Sequence, residues 1–123
     1  MHVTIYHNPE CGTSRNTLTL IRNAGIEPTI IDYQKQPPTR ETLLDMISKA
    51  GLSVRAALRE KNVLYTELGL NNLALSDEQL LDAMLTHPIL MNRPFVITPH
   101  GVKLCRPSEL VLEVLDILPL APK

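Results

Sequence analysis

Val3-Thr4-Ile5-Tyr6-His7-Asn8-Pro9-Glu10-Cys11-Gly12-Thr13-Ser14-Arg15, residues 3–15, joins an extended run to a helical one. β-Branched and aromatic residues predict a first strand from Met1 to Tyr6. Pro9 and Gly12 predict a loop, and the helix is expected to begin near Thr13 or Ser14. Cys11 therefore lies where the unpaired N–H groups of a first helical turn converge and where the helix dipole favours negative charge. Both effects favour the thiolate, which is the reactive form of cysteine. The same N–H groups can cradle an anion. The segment points to a sulfur nucleophile acting on an oxyanion.

Downstream of it, Leu18, Leu20, Ile21 and Ala24 predict a buried helical stripe that Gly25 ends. A second strand is predicted over Pro28 to Tyr33, and Pro37-Pro38 breaks the chain. From Thr39 to about Leu85 the pattern is largely helical. Thr39 is a good N-cap for a helix from Arg40 to Ala50, stopped by Gly51. Ser53 caps a short helix from Val54 to Arg59, and another piece lies around Tyr65 to Leu68. Ser76 with Gln79 three residues later is a capping box for a last helix that ends before His87-Pro88. Phe95 to Thr98 and Val102 to Cys105 form a hairpin about Pro99-His100-Gly101. Pro107, at a first helical position, opens a final helix carrying Leu110, Val111, Val114 and Leu115.

The order is β-α-β, a helical insertion, then β-β-α. It predicts an α/β protein of thioredoxin-like fold, a mixed sheet flanked by helices, with the reactive cysteine after the first strand. A single domain is expected over residues 1–118, with a short tail over 119–123.

Composition narrows the function. Apolar residues make up 44% of the 123 residues and charged residues 20%, which argues for a folded core. The net charge is −1 and no Lys/Arg run exists, so nucleic acid is not an expected partner. No apolar run reaches membrane-spanning length, and no signal peptide is expected ahead of the first strand. An anion site must then come from backbone amides and a few converging arginines, whose planar forks suit oxyanions. The two cysteines, Cys11 and Cys105, do not make a disulfide scaffold, and a cytoplasmic location is expected.

Several residues around Cys11 carry two readings. Ser14 replaces the second thiol of a Cys-x-x-Cys motif, so an intramolecular dithiol cycle is impossible there and electrons must come from another thiol. The Ser14 hydroxyl is read as a helix cap that can also reach the thiolate. Position 17 is Thr17, which excludes the Cys-x5-Arg phosphatase loop. His7, if protonated, would lower the thiol pKa; the alternative is a strand-end histidine without a role. Glu10 is expected to point outward, and Arg15 to face solvent. Arg55 and Arg59, four apart, are read as sharing one helix face. Arg93 and Arg106 each precede a proline at the end of a regular element, and Arg93-Pro94 is a candidate cis bond. Cys105 is read as a core thiol. No zinc-ligand spacing links the cysteines and histidines, so no metal is expected.

The run Ile5-Tyr6-His7-Asn8-Pro9-x-Cys11-Gly12-Thr13-Ser14-Arg15-Asn16-Thr17-Leu18 closely resembles the glutaredoxin-dependent arsenate reductases. So do Arg22-Asn23, Pro28-Thr29-Ile30-Ile31, Ser53-Val54-Arg55-Ala56, His87-Pro88-Ile89-Leu90, Asn92-Arg93-Pro94 and Leu104-Cys105-Arg106-Pro107-Ser108-Glu109. The resemblance runs from residue 3 to about 116. It implies a cytoplasmic enzyme of arsenical resistance that reduces arsenate to arsenite. Cys11 would be the nucleophile, Arg59, Arg93 and Arg106 the arsenate-binding arginines, and His7 and Ser14 residues that tune the thiolate. Pro94 would be the cis-proline of the fold. No bound cofactor is implied; glutathione would be the reducing co-substrate and a glutaredoxin the protein partner. Two other functions fit parts of the pattern. One is a glutathione-linked thiol reductase of another substrate, which would need no three-arginine site. The other is an Spx-like regulatory binding protein, whose Cys-x-x-Cys switch Ser14 breaks.

Overall fold

The first strand, β1 (Thr4–His7), turns Ile5 and His7 to one face of a sheet and Tyr6 to the other, because side chains alternate along an extended chain. It pairs in parallel with β2 (Thr29–Asp32), in a register that sets His7 opposite Asp32. This pairing carries the strand one residue past the expected end at Tyr6 and brings His7 into the sheet. On its other side β1 pairs antiparallel with β3 (Phe95–Thr98), which forms a hairpin with β4 (Gly101–Leu104). Gly101 takes φ 139°, a backbone region that favours glycine, and so opens β4 one residue earlier than expected. The strand order is β2-β1-β3-β4. This four-stranded mixed sheet is the thioredoxin-like arrangement that the element order predicted. The structure, a computed structural model, describes residues 1–116; the expected tail lies outside the described residues.

The described residues group into two compact units. One holds Met1–Asp32 and the chain from Arg93 onward. Helix α1 (Gly12–Asn23) and a 3₁₀ helix (Ser108–Glu113) cover one face of its sheet. Val3, Ile5, Ile21, Val96, Cys105, Val111 and Leu115 form the buried cluster, with Leu18, Leu20, Ala24 and Ile26 packed against it. Full burial of each large aliphatic side chain contributes roughly 1.5–3 kcal/mol. The most buried positions of α1 itself are Ser14, Thr17 and Ile21. The predicted apolar stripe is thus the shoulder of the helix, and its buried centre is partly polar. Gly25 ends the helix at φ 82°, as expected. The last helical segment is 3₁₀, and Pro107 is its N-cap in extended conformation, not its first helical residue.

The second unit, Tyr33–Asn92, is the helical insertion. Thr39 caps α2 (Arg40–Lys49) by accepting the Thr42 N–H. Asn62 caps α3 (Val63–Glu67), and Ser76 and Gln79 form the predicted capping box of α4 (Asp77–Thr86). Leu43, Met46 and Ile47 of α2 and Leu80, Leu81 and Met84 of α4 are buried. Arg40 pairs with Glu78 and Asp82 on the exposed side. Ser53 Oγ accepts the Ala56 N–H, but the helix it starts is a single 3₁₀ turn, Arg55–Ala57. Leu58 is extended and bridges to Met91. No helix among the described residues is long and apolar enough to cross a membrane.

Candidate active site

Cys11 is the N-cap of α1, in extended conformation, with no acidic residue in the first turn after it. The loop before it is wound by its own polar groups. Asn8 Oδ1 accepts the Glu10 N–H at 3.0 Å, a side chain mimicking a backbone turn. Asn8 O accepts the Cys11 N–H at 3.0 Å, and Cys11 O accepts the first helical bond from the Arg15 N–H at 2.9 Å. Glu10 is exposed, as expected, and so is Arg15, which donates to Pro9 O at 3.0 Å.

Ser14 is fully buried and does not cap the helix. Its hydroxyl accepts the Asn8 N–H at 3.0 Å and lies 2.6 Å from His7 Nδ1. The capping expectation fails because α1 begins two residues earlier than Ser14 and Ser14 sits on the inner face of its first turn. The hydroxyl therefore ties the strand end and the loop to the helix. Asn8, itself buried, is the residue this knot is built around, and the sequence reading did not single it out. The Asn-Pro dipeptide was its available signal.

Burial disfavours the Cys11 thiolate, but the Ser14 backbone N–H, the charge and hydrogen bond of Arg93, and the Thr13 backbone N–H outweigh it. The net effect holds the thiol below its ordinary pKa. The first-turn amides act as the position of Cys11 predicted, and they are the same amides that would face a bound anion. Arg93 is buried, and Arg93-Pro94 is cis, as is Arg106-Pro107. Arg106 is exposed; its Nη1 donates to Arg93 O at 3.1 Å and lies 3.9 Å from Cys11 Sγ. Residues 95 positions apart thus meet at the sulfur.

His7 is buried, and desolvation holds its pKa below the ordinary value, with Asp32 opposing and Arg22 and Arg15 assisting. At neutral pH it is the neutral imidazole, so it does not support the thiolate by charge. Its contact is with Ser14. Cys105 is buried beyond the end of β4, as expected of a core thiol, and burial pushes its pKa up to about 12. Both cysteines are free.

The helical unit carries the remaining arginines of interest. Arg55 donates to Tyr65 Oη at 2.9 Å, Leu70 O at 2.7 Å and Asn72 O at 2.9 Å. It fastens the chain after α3 and does not share a helix face with Arg59, because the 3₁₀ turn ends at Ala57. Arg59 is half-buried, and its N–H donates to Leu90 O at 2.7 Å. The sheet unit therefore brings together Cys11, His7, Ser14, Arg93 and Arg106, while Arg59 belongs to the other unit. Among the described residues no group of three or more His, Cys, Asp or Glu side chains is arranged to hold a metal ion.

The chain is similar over most of its length to several arsenate reductases. An arsenate reductase of Rhizobium meliloti is 65% identical over 115 residues, covering 94% of this chain and 82% of its own. An arsenate reductase of Escherichia coli K12 is 60% identical over 114 residues, covering 93% and 81%. The solved structure of an arsenate reductase from Vibrio cholerae superposes with a TM-score of 0.90 at 46% identity, covering 94% of this chain and 98% of that one. The model of the ArsC family matches residues 6–114. With a family model spanning most of its length and relatives this similar, the chain belongs to the ArsC family.

Proposed function

We propose that this protein is an arsenate reductase, an oxidoreductase that converts arsenate to arsenite, with Cys11 as nucleophile and glutathione and a glutaredoxin as the source of electrons. The observation that carries the reading is the sulfur itself. Cys11 has a depressed pKa, first-turn amides beside it, and two arginines at hand, Arg93 and Arg106. Arsenate is an anion and repels a thiolate; these positive groups offset that repulsion and hold arsenic in line with sulfur. A thiol reductase of neutral substrates would need no such cluster.

In the first step Cys11 sulfur bonds to arsenic and an arsenic-bound oxygen leaves as water or hydroxide, with arsenic still pentavalent. A glutathione thiolate then attacks the adduct. A sulfur–sulfur bond forms to Cys11, and the electron pair of the sulfur–arsenic bond stays on arsenic, which leaves as arsenite. Glutaredoxin takes the glutathione from Cys11 and restores the thiolate. Two thiols are oxidised and one arsenic is reduced by two electrons. The external thiol is required because Ser14 stands where a resolving cysteine would be, and Cys105 is buried with its pKa pushed up to about 12. His7 and Ser14 act by holding the Asn8–Cys11 loop so that the amides face the sulfur. Arg59 is assigned as the third arsenate-binding arginine on the family resemblance. A reducing, cytoplasmic setting keeps Cys11 free.

The test is arsenate-dependent NADPH oxidation in a mixture of glutathione, glutathione reductase and glutaredoxin. Turnover that requires glutaredoxin and disappears in Cys11→Ser is the expected result. A folded, reduced protein that oxidises no NADPH on adding arsenate would overturn the reading.

A further inference from the structure

We propose that Asn16 is a positioning residue, which holds Arg106 beside Cys11 by hydrogen bonding to Ser108. The inference deepens the reading above by naming what aims one arginine of its anion site. Arg106 is exposed, and beyond the single bond from its Nη1 to Arg93 O at 3.1 Å its side chain keeps rotamer freedom, so its approach to the sulfur also depends on how firmly its backbone is held. Upstream the chain is held by two backbone bonds. Cys105 N–H donates to Pro94 O at 2.9 Å, and Arg106 N–H to Leu104 O at 3.0 Å. Immediately downstream, Pro107 has no N–H to give. Pro107 O accepts the Leu110 N–H at 3.1 Å, a bond within the 3₁₀ segment, and the polar tie from this segment to α1 is Ser108, a buried residue whose Oγ lies 2.5 Å from Asn16 Nδ2.

Asn16 sits on α1 five residues after Cys11 and two after Ser14, whose amide faces the sulfur. Its bond to Ser108 therefore ties the helix that carries the nucleophile directly to the segment that carries Arg106, across 92 residues of sequence. The apolar packing of Val111 and Leu115 on the same unit fixes the final 3₁₀ helix broadly. Apolar contacts are non-directional, whereas a hydrogen bond sets a distance and an angle. Asn16 is exposed and its helix is anchored by Ser14, Thr17 and Ile21, so its truncation leaves the fold in place.

The test compares alkylation of the sulfur by iodoacetate, an anion, and iodoacetamide, its neutral counterpart. Cys105 is buried and its thiol is a thiolate only near pH 12, so the reaction reads Cys11. The ratio of the two rates reports the positive charge at the sulfur, which Arg93 and Arg106 both supply; its dependence on Arg106 is read against Arg106→Ala and needs no turnover. A unit charge about 4 Å away in a water-like dielectric is worth about fivefold in that ratio. Asn16→Ala is expected to lower the ratio about two- to fivefold, Ser108→Ala to do the same, and Asn16→Ala to have no further effect in an Arg106→Ala background. An unchanged ratio in Asn16→Ala, or an equal loss with and without Arg106, would overturn the proposal. Arsenate turnover of the unaltered protein, measured alongside, separates this outcome from failure of the reductase reading. If the unaltered protein is inactive but the ratio still falls, the positioning role stands and the reductase reading does not.

Discussion

Removing the Ser14 hydroxyl separates two physical accounts of the active-site loop. If Ser14 only capped α1, Ser14→Ala would lose about 1 kcal/mol, the usual value of an N-cap. In the structure its hydroxyl instead satisfies the buried Asn8 N–H and lies 2.6 Å from His7 Nδ1. Ser14→Ala strands both groups in a region where Ser14 is fully buried and Asn8 and His7 nearly so. Each stranded polar group costs about 1–3 kcal/mol, so the expected loss is about 2–6 kcal/mol. For a domain of this size that is a fall in Tm of roughly 8–24 °C, using about 4 °C per kcal/mol. Thermal unfolding followed by circular dichroism measures it. His7→Ala should cost less when made on top of Ser14→Ala than alone, since the two share one contact. A fall in Tm below about 4 °C, with His7 and Ser14 effects simply additive, would refute the loop-knot argument and return Ser14 to the role of a cap.

Two further outcomes follow from the same geometry. Arg93→Gln removes the charge and a hydrogen bond that favour the Cys11 thiolate, so the pH profile of iodoacetamide alkylation shifts to higher pH. The sign for stability is the matching one. A thiol depressed in the folded state adds stability that is fully present above its unfolded pKa and is lost as pH falls through the folded value, and Arg93→Gln shrinks that gain. A profile that moves down, or does not move, would contradict the assignment of Arg93 as the source. Arg55→Ala breaks three hydrogen bonds around Tyr65, Leu70 and Asn72 and should destabilise the protein by about 2–4 kcal/mol, measured by urea unfolding. At a temperature where the variant is folded, its arsenate KM should match that of the unaltered protein; a large rise in KM would make Arg55 a substrate ligand.

What the sequence by itself determined is whatever neighbours along the chain decide. The capping box at Ser76 and Gln79, the Thr39 cap, the stops at Gly25 and Gly51, and the strand at Phe95–Thr98 all follow from local backbone preferences and were legible residue by residue. The placement of Cys11 at a helix N-terminus is of the same kind, and with it the amides that favour its thiolate. Short segments were less legible. The piece after Ser53 shrank to one 3₁₀ turn because the extended Leu58 pairs with Met91, a contact 33 residues away.

Only the tertiary structure decided which side chains meet. Ser14 could cap a helix or knot a loop, and the choice depended on where His7 ended in the sheet. Arg55 and Arg59 have the spacing of helical neighbours, yet Arg55 is held by Tyr65, Leu70 and Asn72. Arg106 approaches Cys11, and Asn16 approaches Ser108, across more than ninety residues. Local preference stabilises a turn or a cap within a few residues of its origin. A side chain's distant partner is selected by sheet register and packing, which depend on the whole chain at once.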